Sequence, residues 1–240
     1  VKNDEIINSF GTRDELNPKV WDNEDTLNKE VREKLLAVAT EFIDFLGVPI
    51  LVEDIIFTGS LANYNWSKYS DIDLHIVADF SQFSDDLLPL YEELFKVKKT
   101  LFNTDHNIKI FGYDVELYIQ DSNEAPTLSS GVYSILNNDW KNKPKKEKIK
   151  IDKNLIRQKS NQWMEIIDTA LEAASDVTAD DATEILKKCK NKLSKYRVCG
   201  LQKGGEYSDE NLVFKVLRRN GYIEKLTNFK NDLLDKELSI

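Results

Sequence analysis

Asp71 and Asp73 stand two residues apart in the run DIDLHIVADF (71–80), whose remaining positions are mostly apolar. Alternate side chains of a strand share a face, so the two carboxylates point the same way, about 6.6 Å apart along the backbone. His75 is the next residue in that row, while Ile72, Leu74 and Ile76 face the opposite side, toward a core. Two carboxylates held this close on a rigid strand repel each other, and the arrangement becomes favourable when a cation lies between them. Mg²⁺ is the natural occupant, because it is bound through one or two carboxylates together with substrate phosphate oxygens.

The neighbouring segments strengthen this reading. A second apolar strand, ILVEDIIFTG (50–59), runs into Gly59-Ser60, and ten residues separate Ser60 from Asp71. A strand that ends in Gly-Ser exposes backbone N–H groups with nothing bulky before them, a turn that can cradle a phosphate chain. The Ser60 hydroxyl adds a donor. Further on, YDVELYIQ offers Asp114 and Glu116 at strand spacing. Glu116 is the preferred third acid, since Val115, Leu117 and Ile119 then form the buried row and Asp114 lies nearer the Gly112 turn. Three such acids can hold two Mg²⁺ ions roughly 3.5–4 Å apart, with Mn²⁺ as the substitute ion.

Around these strands the pattern alternates. Residues 24–46 carry apolar residues every three or four positions and predict a helix ended by Gly47 and Pro49. A second helix is expected over DDLLPLYEELFKVKKTLF, with Ser84 as its cap, and IKIFGYDVELYIQ (108–120) reads as two strands about Gly112. GVYSILNNDW (131–140) reads as a further strand or edge segment. Beyond it the lysine-rich stretch KNKPKKEKIKIDK (141–153) reads as a linker, and helical periodicity then predicts helices over 154–174, 180–198, 208–219 and 221–237. The expected class is α+β: a mixed-sheet domain over 1–140 with an N-terminal arm and helix, the linker 141–153, and a helical domain over 154–240.

At this point the residues resemble a known family. Gly59, Ser60, Ala62, Ser70, Asp71 and Asp73, with the later strand acid Glu116, are similar in type and spacing to the nucleotidyltransferase superfamily that includes DNA polymerase β. Tyr64 stands where small bacterial members usually have glycine. The aromatic insert with Tyr64, Trp66 and Tyr69, and the segments LNPKVW and ENLVFKVLRRNG, also resemble nucleotidyltransferases encoded by tailed phages. The resemblance implies transfer of a nucleoside monophosphate from an NTP to a hydroxyl acceptor, with release of pyrophosphate. It implies that Gly59 and Ser60 hold the triphosphate, that Ser70 is a further substrate-binding residue, that Asp71 and Asp73 bind both metals, and that Glu116 binds the catalytic one. It further implies that the helical domain supplies a cation, for which Lys188, Lys192, Lys215 and Arg218 are the candidates. A cyclic or linear oligonucleotide synthase, with a second nucleotide as acceptor, is one alternative. A nucleotide-binding sensor or partner-binding module without turnover is the other.

Charge bears on the acceptor. The chain carries 33 Lys+Arg against 42 Asp+Glu, a net charge of −9. Residues 1–140 hold 11 basic and 26 acidic residues, net −15, and the remainder 22 and 16, net +6. A basic second half would hold a polyanion such as RNA or tRNA, with Lys143, Lys145, Lys146, Lys148, Lys150 and the lysines of helix 180–198 as the expected surface. The bland reading of these lysines is a solvated face. His75 either lines the site or packs, and Tyr64, Trp66 and Tyr69 either stack on a base or pack. Cys189 and Cys199 lack metal-ligand neighbours and read as packing residues. Their small number suits a reducing, cytoplasmic setting, and no apolar run approaches the roughly 18 residues of a membrane span.

Overall fold

The computed structural model describes residues 2–124 and 131–240. They fall into two compact units, one of residues 12–148 and one formed by the first eleven residues together with 149–240.

The first unit is built on a six-stranded mixed sheet of order β3-β4-β2-β1-β5-β6. Its strands are β1 (Val52–Thr58), β2 (Ile72–Ala78), β3 (Lys109–Ile110), β4 (Tyr113–Asp121), β5 (Val132–Ser134) and β6 (Asp139–Asn142). β2 pairs with β4 in parallel, and the other neighbours are antiparallel. Antiparallel β1 and β2 follow one another in the chain, whereas the parallel step from β2 to β4 is made through a helix, as such a step requires. Strand alternation places Ile55, Phe57, Ile72, Leu74, Ile76, Val115 and Leu117 on one face, and all are buried. Helix α2 (Lys29–Leu46) adds Leu35, Ala39 and Phe42 to the same core, and α3 (Leu88–Asp105) adds Phe95 and Phe102. The opposite face carries Thr58, Asp73, His75, Glu116, Tyr118 and Gln120.

Two helix starts differ from the sequence expectation. α2 begins at Lys29 and not near residue 24, because Leu27 bridges to Trp21 in extended backbone and Asn28 is the cap, its Oδ1 accepting from Glu30 N (3.0 Å) and Val31 N (3.3 Å). The helix closes at Gly47, whose φ of 70° is the left-handed conformation expected of a helix-ending glycine. α3 begins at Leu88, with Pro89 in its first turn. Ser84 does not cap it: the Ser84 carbonyl accepts from the N–H groups of Leu87 and Leu88 in a preceding turn. The segment 131–140 holds a strand and the start of a second, β5 and β6, and the latter runs to Asn142.

The second unit is a bundle of α4 (Lys153–Ser175), α5 (Ala179–Gly204), α6 (Asp209–Arg219) and α7 (Tyr222–Leu238), each close to its expected span except α5, which continues six residues past 198 to Gly204. Asp152, Thr178 and Ser208 cap the first three through their side chains. Ile156, Trp163, Ile167, Leu186, Leu193, Val213, Val216 and Leu226 fill its core. Helix α1 (Lys2–Ser9), which the polar N-terminal sequence does not announce, joins this bundle by burying Ile6 and Ile7. Asp4 accepts from Arg157 Nε at 2.7 Å, which fixes α1 against α4. No helix of the described residues is long and apolar enough to cross a membrane.

Candidate functional site

Parallel pairing of β2 with β4 sets Asp73 directly beside Glu116. Asp71 immediately precedes β2 and shares the parity of Asp73. Each of these three half-buried carboxylates offers an oxygen that lies within 4.8 Å of the other two. Asp114, the alternative third acid, does not join them. It is the cross-strand partner of Lys109, with which it forms an exposed ion pair. The choice of Glu116 over Asp114 is therefore made by the tight hairpin: the acid nearest the turn meets the lysine across it.

The Gly59-Ser60 turn packs against the same group. Gly59 has φ 82° and ψ −165°, a conformation almost confined to glycine. A Cβ at Gly59 would overlap Asp73 Oδ2 and come within 2.9 Å of Asp73 Cγ. The turn thus presses its bare α-carbon on the carboxylate, which a larger residue would push away. Residues Ser60–Ala62 form one turn of 3-10 helix, whose leading N–H groups have no partner within the turn itself. Ser60 Oγ donates to Ser70 Oγ at 2.7 Å, and Ser70 Oγ accepts from Ser67 N at 3.0 Å. Ser70 is buried, so it braces Ser60 and the loop that leads to Asp71.

Two residues beyond the expected set, Tyr118 and Trp21, shape the site, and a third, Asp54, braces β1 against β5. Tyr118, two positions along β4 from Glu116, donates its hydroxyl to Glu116 Oε2 at 2.6 Å. Burial raises the Tyr118 pKa far above its ordinary value, and its bond to Glu116 and the charges of Glu116, Asp73 and Asp71 raise it further, so the phenol stays a donor. Its place in the row Glu116, Tyr118, Gln120 was visible in the strand alternation. Trp21 donates its indole N–H to the Leu61 carbonyl at 2.8 Å, pinning the turn that follows Gly59. Trp21 is itself held by stacking on Trp140 (ring centroids 4.6 Å) and Phe57 (5.6 Å). Asp54, on β1, is buried, accepts from Ser134 Oγ at 2.7 Å and forms an ion pair with Lys141, whose Nζ lies 2.9 Å from Oδ2. No local signal marked either long-range contact of Trp21 or Asp54.

His75 continues the carboxylate row. It stacks on Tyr118 (4.7 Å, 28°), and its Nδ1 lies 2.6 Å from Gln120 Oε1. Burial pushes the His75 pKa down against the effect of the Gln120 bond, and nearby Lys99 lowers it too, favouring the neutral ring. Two cavities open beside these residues. One, of about 600 Å³, is lined by Glu116, Asp114, Lys99, Asn103 and His106. The other, of about 360 Å³, lies over Ile56, Thr58, His75, Val77 and Gln120.

The remaining expected residues have partners of their own. Lys188 and Lys192 are on α5 in the helical unit: Lys188 pairs with Glu184 at 2.6 Å, and Lys192 Nζ lies 5.8 Å from the Trp163 ring centroid. Lys215 and Arg218 are on α6. Tyr64 is buried, and Trp66 donates to the Glu15 carbonyl at 2.9 Å while Arg13 covers its ring, so these two aromatics fasten residues 13–15. Lys143 pairs with Asp25, and Lys146 with Asp14. Comparison with protein-family models, with curated proteins and with solved structures finds no match to this chain.

Proposed function

We propose that the chain is a metal-dependent nucleotidyltransferase, moving a nucleoside monophosphate from an NTP to a hydroxyl acceptor. The observation that carries the reading is the meeting of Asp71, Asp73 and Glu116, with carboxylate oxygens within 4.8 Å of one another, against the bare α-carbon of Gly59. The donor set fits Mg²⁺: it is all oxygen and anionic, and each member is half-buried. Asp71, Asp73 and Glu116 would hold the metal, with Mn²⁺ as substitute. Bound there, it would neutralise phosphate charge and make an attacking hydroxyl more acidic.

The protein's own groups have separable tasks. Backbone N–H groups of the Gly59-Ser60 turn receive the phosphate chain, and the absence of a side chain at Gly59 lets phosphate and Asp73 approach each other. Tyr118 takes one oxygen of Glu116 and so fixes the direction in which the other points. Ser70 and Trp21 brace the turn from below. The cavity that Glu116 lines, and the one over His75 on the same sheet face as Asp73, provide room for a nucleoside and an acceptor. In the transfer, the acceptor oxygen bonds to the α-phosphorus, the bond to the bridging oxygen breaks, pyrophosphate leaves and the hydroxyl proton is lost.

The test is a screen of purified protein with Mg²⁺, the four NTPs and a panel of acceptors: RNA 3′ ends, nucleotides, small polyols and proteins. Pyrophosphate release is measured together with acceptor mass. The reading expects an acceptor heavier by one nucleoside monophosphate, and loss of that product with Asp73→Asn. NTP that is bound yet recovered intact with every acceptor would favour a binding module and overturn the enzyme.

A further inference from the structure

The helical unit holds a pocket of its own, of about 380 Å³, between α5, α6 and α7. That volume is in the range of small-molecule sites. Leu193 and Leu226 form its buried floor. Val198, Leu201, Phe214 and Ile223 form walls that stay partly open, Val198 with 46 % of its surface exposed. The lining follows α5 from Lys190 to Leu201, about 16 Å of helix, so the pocket is a trough that suits an extended apolar chain.

One end of the trough is charged. Lys190 is half-buried there, and its Nζ donates to Thr227 Oγ1 at 3.1 Å. The Thr227 proton goes to the Ile223 carbonyl, also at 3.1 Å, so this hydroxyl is an acceptor toward the lysine. A partly desolvated ammonium is ordinarily matched by an acid, whereas Thr227 is neutral. No acid lines the pocket among the described residues, and Leu186, Lys187, Leu193 and Ser194, one turn from Lys190 on α5, include none. Burial pushes the Lys190 pKa down, and the positive charge of Lys230 on α7 pushes it further. Arg197, about two turns along α5, belongs to the other end: its guanidinium carbon lies 4.4 Å from the Phe214 ring centroid, and its Nε donates to Asn211 Oδ1 at 3.1 Å.

We propose that this pocket binds an aliphatic carboxylate, its head group on Lys190 and its chain along the trough toward Phe214. An ammonium has three protons, of which Thr227 accepts one, and the carboxylate accepts from the others in charge-assisted bonds. The bound anion offsets the repulsion between Lys190 and Lys230, and the chain covers apolar wall that the fold leaves open. Both features are needed to select this class. A purely apolar molecule would leave the lysines unmatched, and a bare phosphate would leave the walls uncovered.

The experiment is calorimetric titration of the full chain with hexanoate, octanoate and octan-1-ol, each up to its solubility, with circular dichroism melting to confirm that every variant is folded. Octanoate should occupy one saturable site and bind about tenfold more tightly than hexanoate, because two further methylenes are buried. It should also bind about tenfold more tightly than octan-1-ol, which keeps the chain and lacks the charge. Lys190→Gln should weaken octanoate by about tenfold and leave octan-1-ol within about twofold. Val198→Glu, at an open wall, should weaken both ligands. Absence of saturable octanoate binding overturns the proposal. So does octanoate affinity that Lys190→Gln or Val198→Glu leaves unchanged, or octan-1-ol bound as tightly as octanoate.

Discussion

Replacing Gly59 by alanine separates fold stability from metal binding. The backbone at φ 82° and ψ −165° lies in a region that only glycine occupies readily, so a Cβ there costs about 1–3 kcal/mol. The Cβ also overlaps Asp73 Oδ2 and approaches Asp73 Cγ to 2.9 Å. The overlapped atoms are the end of a side chain, so the carboxylate rotates and the fold survives. Rotation takes Asp73 out of reach of Asp71 and Glu116, and the larger loss falls on cation binding. Urea unfolding of Gly59→Ala should show a stability loss larger than the backbone contribution of about 1–3 kcal/mol. Calorimetric titration with Mg²⁺ or Mn²⁺ should show affinity falling by about tenfold or more, equivalent to about 1.4 kcal/mol. The double variant isolates the contact: in an Asp73→Ala background only the backbone contribution should remain. Equal costs in the two backgrounds, or wild-type metal affinity in Gly59→Ala, would refute the reasoning.

Three further outcomes follow from the same geometry. Asp73→Asn should abolish nucleotidyl transfer and, by removing one of three crowded negative charges, leave the metal-free protein as stable as the wild type or more so, read by urea unfolding with and without Mg²⁺. Glu116→Gln should reduce turnover by two orders of magnitude or more, whereas Asp114→Asn removes only an exposed pair with Lys109, worth at most about 1 kcal/mol, and should leave turnover within twofold. Trp21→Phe keeps an aromatic ring but leaves the Leu61 carbonyl without its indole donor. It should cost about 1–3 kcal/mol by urea unfolding and weaken NTP binding more than binding of the metal alone.

The sheet and the carboxylate group were legible in the sequence because both depend on alternation. Ile72, Leu74 and Ile76 against Asp71, Asp73 and His75 declare a strand and its two faces, and the same rule in YDVELYIQ sets Val115 and Leu117 against Glu116. Which strand lies next to β2 is not written locally: the parallel pairing that brings Glu116 beside Asp73 is a tertiary fact. The helices of the second unit were equally clear, since each has an apolar stripe and three of the four open on a capping side chain. The misread helix starts share one cause. Leu27 fits helical periodicity but is claimed by its bridge to Trp21, and Ser84 is a good cap residue placed before an acidic pair, one turn short of where Leu88 begins α3. α1 is a short helix whose polar sequence hides the two adjacent isoleucines that the bundle buries. Trp21, Tyr118 and Asp54 gain their importance from partners 40, 2 and 80 residues away, and only the partner of Tyr118 lies within reach of a local pattern.

The central claim is that Asp71, Asp73 and Glu116 form one divalent-metal site, and Mn²⁺ titration followed by electron paramagnetic resonance tests it most directly. The account predicts that the wild type removes free Mn²⁺ signal in a saturable way, that an NTP tightens the binding, and that Asp71→Asn, Asp73→Asn and Glu116→Gln each weaken it by tenfold or more while Asp114→Asn does not. Mn²⁺ binding that is no stronger in the wild type than in the protein carrying all three neutral substitutions would contradict it.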